Sequence, residues 1–142
     1  MNQKPRKKLS CLLMAGIMLA LLFISGCKIS KDDRKKVRDL EFTVVGEVDI
    51  PAELKQIITG KLSQPFKLTF SDEQNLYIVV GYGSQSTGGY SIAVKELYLT
   101  DNSIVIDTEL LGPEKGENPA PETSCPFIVV KTENLENPVI FQ

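Results

Sequence analysis

The sequence predicts a single mainly β domain (α+β by content), built as an antiparallel sandwich or an open barrel with one short helix packed on it. Three observations support this fold class. Short apolar runs recur along the second half of the chain, and glycine, proline and other turn residues separate them. One segment alone has the 3.6-residue periodicity of an amphipathic helix.

The helix is predicted directly after Asp49-Ile50, with Pro51 in its first turn. Its apolar positions fall at i, i+4, i+7 and i+8 and form one stripe: Ile50, Leu54, Ile57 and Ile58. Gly60 occupies a helix C-cap position. We therefore expect a short helix that packs on a sheet through this stripe.

The strands are predicted at 41–45, 66–70, 76–80, 90–99, 104–106, 127–130 and 139–141. Residues 66–70 alternate and suit a half-buried strand, whereas 76–80 are apolar throughout and suit a central strand covered on both faces. The apolar phase shifts near Lys95-Glu96, which predicts a β-bulge. Asp101-Asn102 predicts a tight turn.

Two connections are too long and too rich in glycine or proline for simple hairpin turns. The first spans 81–89 and contains four glycines, and the second spans 112–124 and contains three prolines. Long loops without secondary structure are uncommon and are often functional. These two segments are the candidate binding loops.

The N-terminus has the composition of a secretory signal peptide. Four basic residues within 4–8 precede an apolar run from Cys11 to Ile24, which is short for a membrane span. The run ends in Ile24-Ser25-Gly26-Cys27, which resembles the lipobox of bacterial lipoproteins. We therefore expect cleavage before Cys27 and lipidation of its thiol.

A lipid on Cys27 would anchor the chain to a cell membrane on its extracytoplasmic side. Stable anchoring requires two acyl chains, which a diacylated cysteine supplies. The expected organisation is a signal peptide over 1–26, the lipidated cysteine and a charged tether over 27–40, and a single β-rich domain over 41–142. An uncleaved anchor helix is the alternative for the N-terminus.

The charge balance argues against a nucleic-acid partner. The signal peptide holds 4 of the 16 basic residues and none of the 18 acidic ones, so the mature chain has 12 basic and 18 acidic residues. Binding to phosphates requires a basic face, and this chain is acidic.

The chain contains no histidine, which excludes Ser-His-Asp and Cys-His catalysis and histidine-ligated metal sites. No motif indicates another catalytic mechanism, so we expect a protein that is not an enzyme and that uses no metal or cofactor. Once Cys11 is cleaved off and Cys27 carries lipid, Cys125 has no partner within the chain. Its expected role is that of a small buried apolar residue, and a reactive thiol or an intermolecular disulfide is the alternative.

Two stretches carry a resemblance to a known family. They are Leu76-Tyr77-Ile78-Val79-Val80-Gly81 followed by Ser86-Thr87-Gly88-Gly89-Tyr90, and Thr123-Ser124-Cys125-Pro126-Phe127 at the start of a later strand. In this order they resemble the C-terminal domain family named after PrcB, a protease-complex subunit. The resemblance covers about 64–141 and implies a protein partner, such as a secreted or surface protease.

The resemblance points to Thr87, Gly88, Gly89 and Tyr90 in the first loop, and to Pro126 and Phe127 after the second, as partner-binding residues. For Tyr90 and Phe127, packing in the core is the alternative role. The sequence leaves three functions open. The first is an accessory lipoprotein that supports or modulates its partner, the second is a loop-based protease inhibitor, and the third is a module for envelope glycans or small ligands with a groove lined by tyrosines.

Overall fold

A computed structural model of the protein describes residues 34–142. This part of the chain forms eight strands, one α-helix and a short 3-10 helix over Glu47–Asp49. The elements, numbered in chain order, are β1 (Lys36–Asp39), β2 (Thr43–Val44), α1 (Ala52–Thr59), β3 (Pro65–Ser71), β4 (Asn75–Tyr82), β5 (Ser91–Thr100), β6 (Ile104–Leu111), β7 (Phe127–Glu133) and β8 (Val139–Phe141). The predicted signal peptide and Cys27 lie outside the described residues.

The strands form two four-stranded sheets. The order is β1-β5-β6-β8 in the first sheet and β2-β7-β4-β3 in the second. Neighbouring strands are antiparallel, except that β6 and β8 are parallel. The predicted mainly β fold is therefore confirmed as a sandwich, with one parallel pair that the sequence did not indicate.

The core between the two sheets consists of aliphatic side chains from both inner faces. β4 and β7 contribute every second residue from one side, and β5 and β6 do so from the other, as expected for facing sheets. The buried members are Leu40, Leu76, Ile78, Val80, Leu97, Ile104, Ile106, Ile128 and Val130. This packing holds the ends of β4, β5, β6 and β7 in fixed positions.

A second apolar cluster lies on the opposite face of the second sheet, where α1 packs. Leu54 and Ile58 of the helix and Ile50 before it contact Tyr77, Val79 and Val129 of β4 and β7. β4 is thus buried on both faces, as its uninterrupted apolar sequence predicted. Gly60 is the helix C-cap, and its N–H donates to the carbonyl of Gln56.

Ile57 does not belong to the buried stripe, so this part of the prediction was wrong. Its side chain is 41% exposed, whereas Leu54 is fully buried. With 3.6 residues per turn, Ile57 lies about 60° around the helix from Leu54 and faces the rim of the contact. A helix of eight residues buries only the centre of its apolar stripe.

The N-terminal part of the domain differs from the sequence-based expectation. Lys36–Asp39, at the end of the predicted tether, form edge strand β1 on β5, and Leu40 is buried. All four β1 residues are exposed, so the strand has no alternating pattern that sequence analysis can detect. The strand predicted over 41–45 is reduced to Thr43–Val44. The bulge near Lys95-Glu96 is confirmed, because the β5–β6 register shifts between Val94 and Glu96.

The turn between β3 and β4 is organised by one carboxylate. The Asp72 carboxylate accepts hydrogen bonds from the backbone N–H of Asn75 at 2.6 Å and of Gln74 at 2.8 Å, and from the Tyr77 hydroxyl at 3.2 Å. These donors, the Asn75 N–H first, lower the pKa of Asp72 below its usual value of 3.8. Burial, and then the bond to Asp72, raise the pKa of Tyr77.

Candidate partner-binding surface

Both candidate loops lie at one end of the sandwich because of the strand register. Gly81 at the end of β4 pairs with Phe127 at the start of β7, and Ser91 at the start of β5 pairs with Leu111 at the end of β6. The loop from β4 to β5 and the loop from β6 to β7 therefore both run between the two sheets at this end. We call residues 83–90 the first loop and residues 112–126 the second loop.

The two loops are hydrogen-bonded to each other. Gln85 and Ser124 form an isolated antiparallel bridge, with N–H to O distances of 2.7 Å from Gln85 and 3.1 Å from Ser124. The Gly88 N–H donates to the Ala120 carbonyl at 2.9 Å, and the Ser124 hydroxyl donates to the Thr87 carbonyl at 2.6 Å. The loops thus form one continuous surface, which we call the paired-loop surface.

Of the adjacent glycines at 88 and 89, Gly89 is the one that its backbone conformation and the close approach of the second loop require. Gly89 has a φ of +81°, in the left-handed region, and a Cβ there would lie 3.3 Å from Pro119 and 3.4 Å from Pro113. A Cβ at Gly88 would make an ordinary van der Waals contact with Ala120 at 3.6 Å, so this position has room for a small side chain. The prolines and alanine of the second loop therefore pack directly on the backbone of the first.

Thr87 and Tyr90 lie within the paired-loop surface and are half-buried. The Thr87 hydroxyl donates to the carbonyl of Gly88 at 3.1 Å. Tyr90 stands before β5 rather than inside it, and its ring lies beside Gly112 at the start of the second loop. The second loop thus contacts all four predicted residues of the first, through their backbones or, for Tyr90, through the ring: Thr87, Gly88, Gly89 and Tyr90.

Pro126 and Phe127 lie where the second loop enters β7. The Pro126 carbonyl accepts the N–H of Tyr82 at 3.0 Å, and Phe127 packs against the cluster under α1. Both residues also line a groove of 220 Å³ beside β2. Phe127 is therefore on the helix side of the second sheet, and its ring contributes to packing there.

Cys125 is half-buried and carries a free thiol. Its sulfur lies 3.6 Å from the hydroxyl oxygen of Ser84 in the first loop. The thiol thus adds a further contact between the loops, and it is less buried than the sequence led us to expect.

The exposed side chains of the paired-loop surface are mostly small, polar or charged. The first loop exposes Ser84 and Ser86, and the second exposes three carboxylates and one ammonium together with polar groups: Glu114, Glu117, Glu122, Lys115, Asn118 and Thr123. Glu117 accepts the Glu114 N–H at 3.1 Å, which closes a turn at the tip of the second loop. The arrangement offers hydrogen-bonding groups and a net negative charge on two loops that are hydrogen-bonded to each other.

Two further kinds of candidate site are at issue among the described residues, namely a metal-binding cluster and a groove lined by tyrosines. Within 34–142 no group of three or more aspartate, glutamate, cysteine or histidine residues could hold a metal ion. The four tyrosines do not line a common groove, since Tyr77 faces α1 while the Tyr82 hydroxyl bonds to Thr108 at 2.8 Å between the sheets. Across the same residues, no helix has the length and apolar character needed to cross a membrane.

The fold and the paired-loop surface define a class of protein, namely a small β-sandwich domain that presents a preformed surface of two loops. Residues 76–133 match the family model described as PrcB C-terminal. The match begins in β4 and ends in β7, so both loops lie inside it. The resemblance stated from the sequence is thereby confirmed over these residues. Comparison with curated proteins and with solved structures gave no match.

Sequence reasoning missed the residues that hold the loops together. Gln85, Ala120 and Ser124 contribute through backbone groups and one hydroxyl, and Gln85 is more than thirty positions away from the other two along the chain. Neither the conformational propensities of single residues nor the periodicity of apolar residues indicates which residues of two distant loops form hydrogen bonds with each other. The one available signal was that Ser124 stands next to Cys125-Pro126, inside the stretch that resembles the family.

Proposed function

We propose that this chain is a non-enzymatic accessory protein that binds another extracytoplasmic protein through its paired-loop surface, as a subunit of a protease complex. One observation carries the proposal. The region that matches the PrcB C-terminal family contains both loops, and four hydrogen bonds join these loops into one surface. The partner in this account is a secreted or surface protease.

A preformed surface suits this role for a physical reason. Loops that become ordered only on binding lose conformational entropy at that moment, and this loss weakens the complex. Here the bridge between Gln85 and Ser124 and the bond from Gly88 to Ala120 already fix both backbones. Binding energy from the exposed polar groups is then available for affinity and specificity.

The proposal includes the membrane anchor. Cleavage after Gly26 and diacylation of Cys27, with palmitate or a similar acyl chain, would hold the domain at the cell surface. The residues between Cys27 and β1 would act as a charged spacer. Metabolic labelling with a palmitate analogue tests this part, since Cys27→Ser should abolish the label. Label retained in that variant would reject the anchor.

The binding claim is tested by capture of partners from detergent-extracted membranes, followed by mass spectrometry. The lipidated wild-type chain is compared with Tyr90→Ala and Pro126→Ala in the paired loops, and with Gln56→Ala on the exposed side of α1 as a matched control. We expect a protease complex to co-purify with the wild type and the control and to be depleted in both loop variants. Equal recovery in all four samples would contradict the proposal.

The activity of the captured protease separates a subunit from an inhibitor. A subunit supports its protease, so removal of this chain should lower the proteolytic activity, whereas removal of an inhibitor should raise it. If no protein co-purifies at all, the role in a protease complex is rejected, and binding of envelope glycans or small ligands becomes the better hypothesis.

A further inference from the structure

β3 is unlike the other edge strands of the sandwich. β1 has four residues with a register shift between Lys36 and Arg38, β2 has two residues and β8 has three, whereas β3 has seven. Natural proteins protect sheet edges with short or bulged strands, because an exposed edge can pair with another chain. Three of the four edges in the described domain follow this rule, and β3 is the exception.

The direction of the β3 backbone groups follows from two hydrogen bonds at the ends of β4. The Asp72 N–H donates to the Asn75 carbonyl at 3.0 Å, and the Tyr82 N–H donates to Pro126, away from β3. Because an antiparallel ladder alternates bonded and non-bonded pairs, the even-numbered residues of β3 bond to β4. The N–H and C=O groups of Lys67, Thr69 and Ser71 therefore point outward, along the free edge.

The side chains of β3 divide into an apolar and a polar row. Phe66, Leu68 and Phe70 are half-buried on the side of α1, while Lys67 and Thr69 are exposed on the other side. A strand added at this edge would meet the same alternation, because its side chains share the two faces of the sheet. Its apolar residues would extend the cluster under α1.

The polar side of the edge opens into a cleft between the sheets. The cleft has a volume of 500 Å³, and its lining includes Phe66, Lys67, Tyr82 and Thr108. The Lys67 ammonium is the one charged group of β3 and lies 5.6 Å from the centre of the Phe141 ring. An acidic residue opposite Lys67 on an incoming strand would form an ion pair with the Lys67 ammonium at the mouth of the cleft.

β3 also begins next to the paired-loop surface. The Ser84 N–H of the first loop donates to the Ser63 carbonyl at 3.4 Å, and Gly83 packs against Pro65 at the start of β3. A partner seated on the loops therefore has the free edge of β3 directly beside its contact. The two features together form one continuous binding region.

We propose that β3 accepts an extended, amphipathic segment of the partner protein as a fifth strand of its sheet. The segment places apolar residues beside Phe66, Leu68 and Phe70 and an acidic residue beside Lys67. This is the β-augmentation mode of recognition, in which main-chain hydrogen bonds give affinity and alternate side chains give specificity. The inference rests on the proposed function and specifies how the partner is held.

The test uses one variant that blocks the edge and one that does not. Thr69→Pro removes an outward N–H and leaves the β3–β4 ladder intact, since proline is tolerated at edge positions whose N–H faces solvent. Thr69→Val keeps the N–H and a β-branched side chain, and serves as the matched control. Both are made in the full-length chain in detergent, and amide exchange is read by NMR.

The probe is a blocked peptide of alternating valine and glutamate, equal in length to β3. We expect it to slow amide exchange at Lys67, Thr69 and Ser71 by at least about tenfold in the wild type and Thr69→Val, which corresponds to about 1.4 kcal/mol. Because proline has no amide hydrogen, Thr69→Pro is read at Lys67 and Ser71, where it should abolish this protection, and a peptide with lysine in place of glutamate should bind more weakly. Protection that persists in Thr69→Pro, or no protection in the wild type, would overturn the proposal.

Three further outcomes are decisive. Protection of the same amides that rises with protein concentration without peptide would identify a second copy as the occupant and overturn the partner segment. Peptide protection at β3 in a chain that captures no protease complex would reject the proposed function while it supports the strand-addition site. Capture of the complex by Thr69→Pro at wild-type level would overturn the strand addition alone.

Discussion

The core between the sheets and the paired-loop surface are ordered by different forces. The core places aliphatic residues from four strands in contact, and Ile78, Ile104 and Val130 are fully buried there. The paired loops are joined by hydrogen bonds between Gln85, Gly88, Ala120 and Ser124, beside which Pro113 and Pro119 pack on Gly89. Apolar packing fixes the scaffold, and directional bonds fix the surface that is presented for binding.

The largest effect is expected in the core. Ile78→Ala removes a side chain that is fully buried in β4, and the cavity left behind should lower the free energy of unfolding by about 2–5 kcal/mol. Ile57→Ala on the exposed rim of α1 is the control and should change it by less than about 0.5 kcal/mol. Chemical denaturation measures both. Equal values for the two variants would contradict the assignment of the core.

A smaller effect is expected where the core meets the loops, at Gly81. A Cβ at this position would collide with the Phe66 ring, so Gly81→Ala should destabilise the fold by about 1–3 kcal/mol. Gly60→Ala, where a Cβ has room and φ is −72°, should be neutral or stabilising by up to about 1 kcal/mol. Thermal unfolding of both variants tests this difference. Recovery of stability in Gly81→Ala with Phe66→Leu would confirm the clash as its cause.

In the loops the effect should be local. Ser124→Ala removes the hydroxyl that donates to the Thr87 carbonyl at 2.6 Å and should cost about 0.5–1.5 kcal/mol. Amide exchange at Gly88 should become faster while exchange at Ile78 stays slow. The exposed Ser86 in the same loop supplies the control Ser86→Ala, which should leave both rates unchanged. If Ser124→Ala accelerates exchange in the core as well, the two regions are not independent.

The smallest effect should be visible only through its pH dependence. Hydrogen bonds hold the pKa of Asp72 below 3.8 in the folded state, so its carboxylate stabilises the fold above pH 3.8. This contribution is lost as the pH falls through the lower folded value. We therefore expect the stability of Asp72→Asn to depend less steeply on pH than that of the wild type. The midpoint of chemical denaturation, measured from about pH 5 to about pH 2 where carboxylates titrate, tests this difference. An unchanged pH profile would contradict the role of the turn.

The scaffold could be predicted because its residues follow local patterns. The uninterrupted apolar run of β4 indicated a strand covered on both faces, and the phase shift in β5 indicated a bulge. β1 could not be found, because its four residues are all exposed at a sheet edge and leave no alternation. The parallel pairing of β8 with β6 depends on contacts across the whole fold, which no local pattern records.

The candidate site was predicted in part. The glycines and Tyr90 of the first loop stand out in the sequence, and the structure places them against the second loop. Which residues of the second loop they meet depends on how the strands are ordered in the two sheets. The same limit applies to Phe127, since the register that puts it opposite Gly81 also turns its ring toward α1.

The central claim is that the two loops act as one binding surface for a protein partner. Site-specific photo-crosslinking in the membrane-anchored chain tests it most directly, with the crosslinking residue at Ser86 in the first loop, at Glu122 in the second, and at Gln56 on α1 as the control. The account predicts that Ser86 and Glu122 positions crosslink to the same protein and that Gln56 does not. Crosslinks from one loop alone, to two different proteins, or from α1 in place of the loops would contradict it.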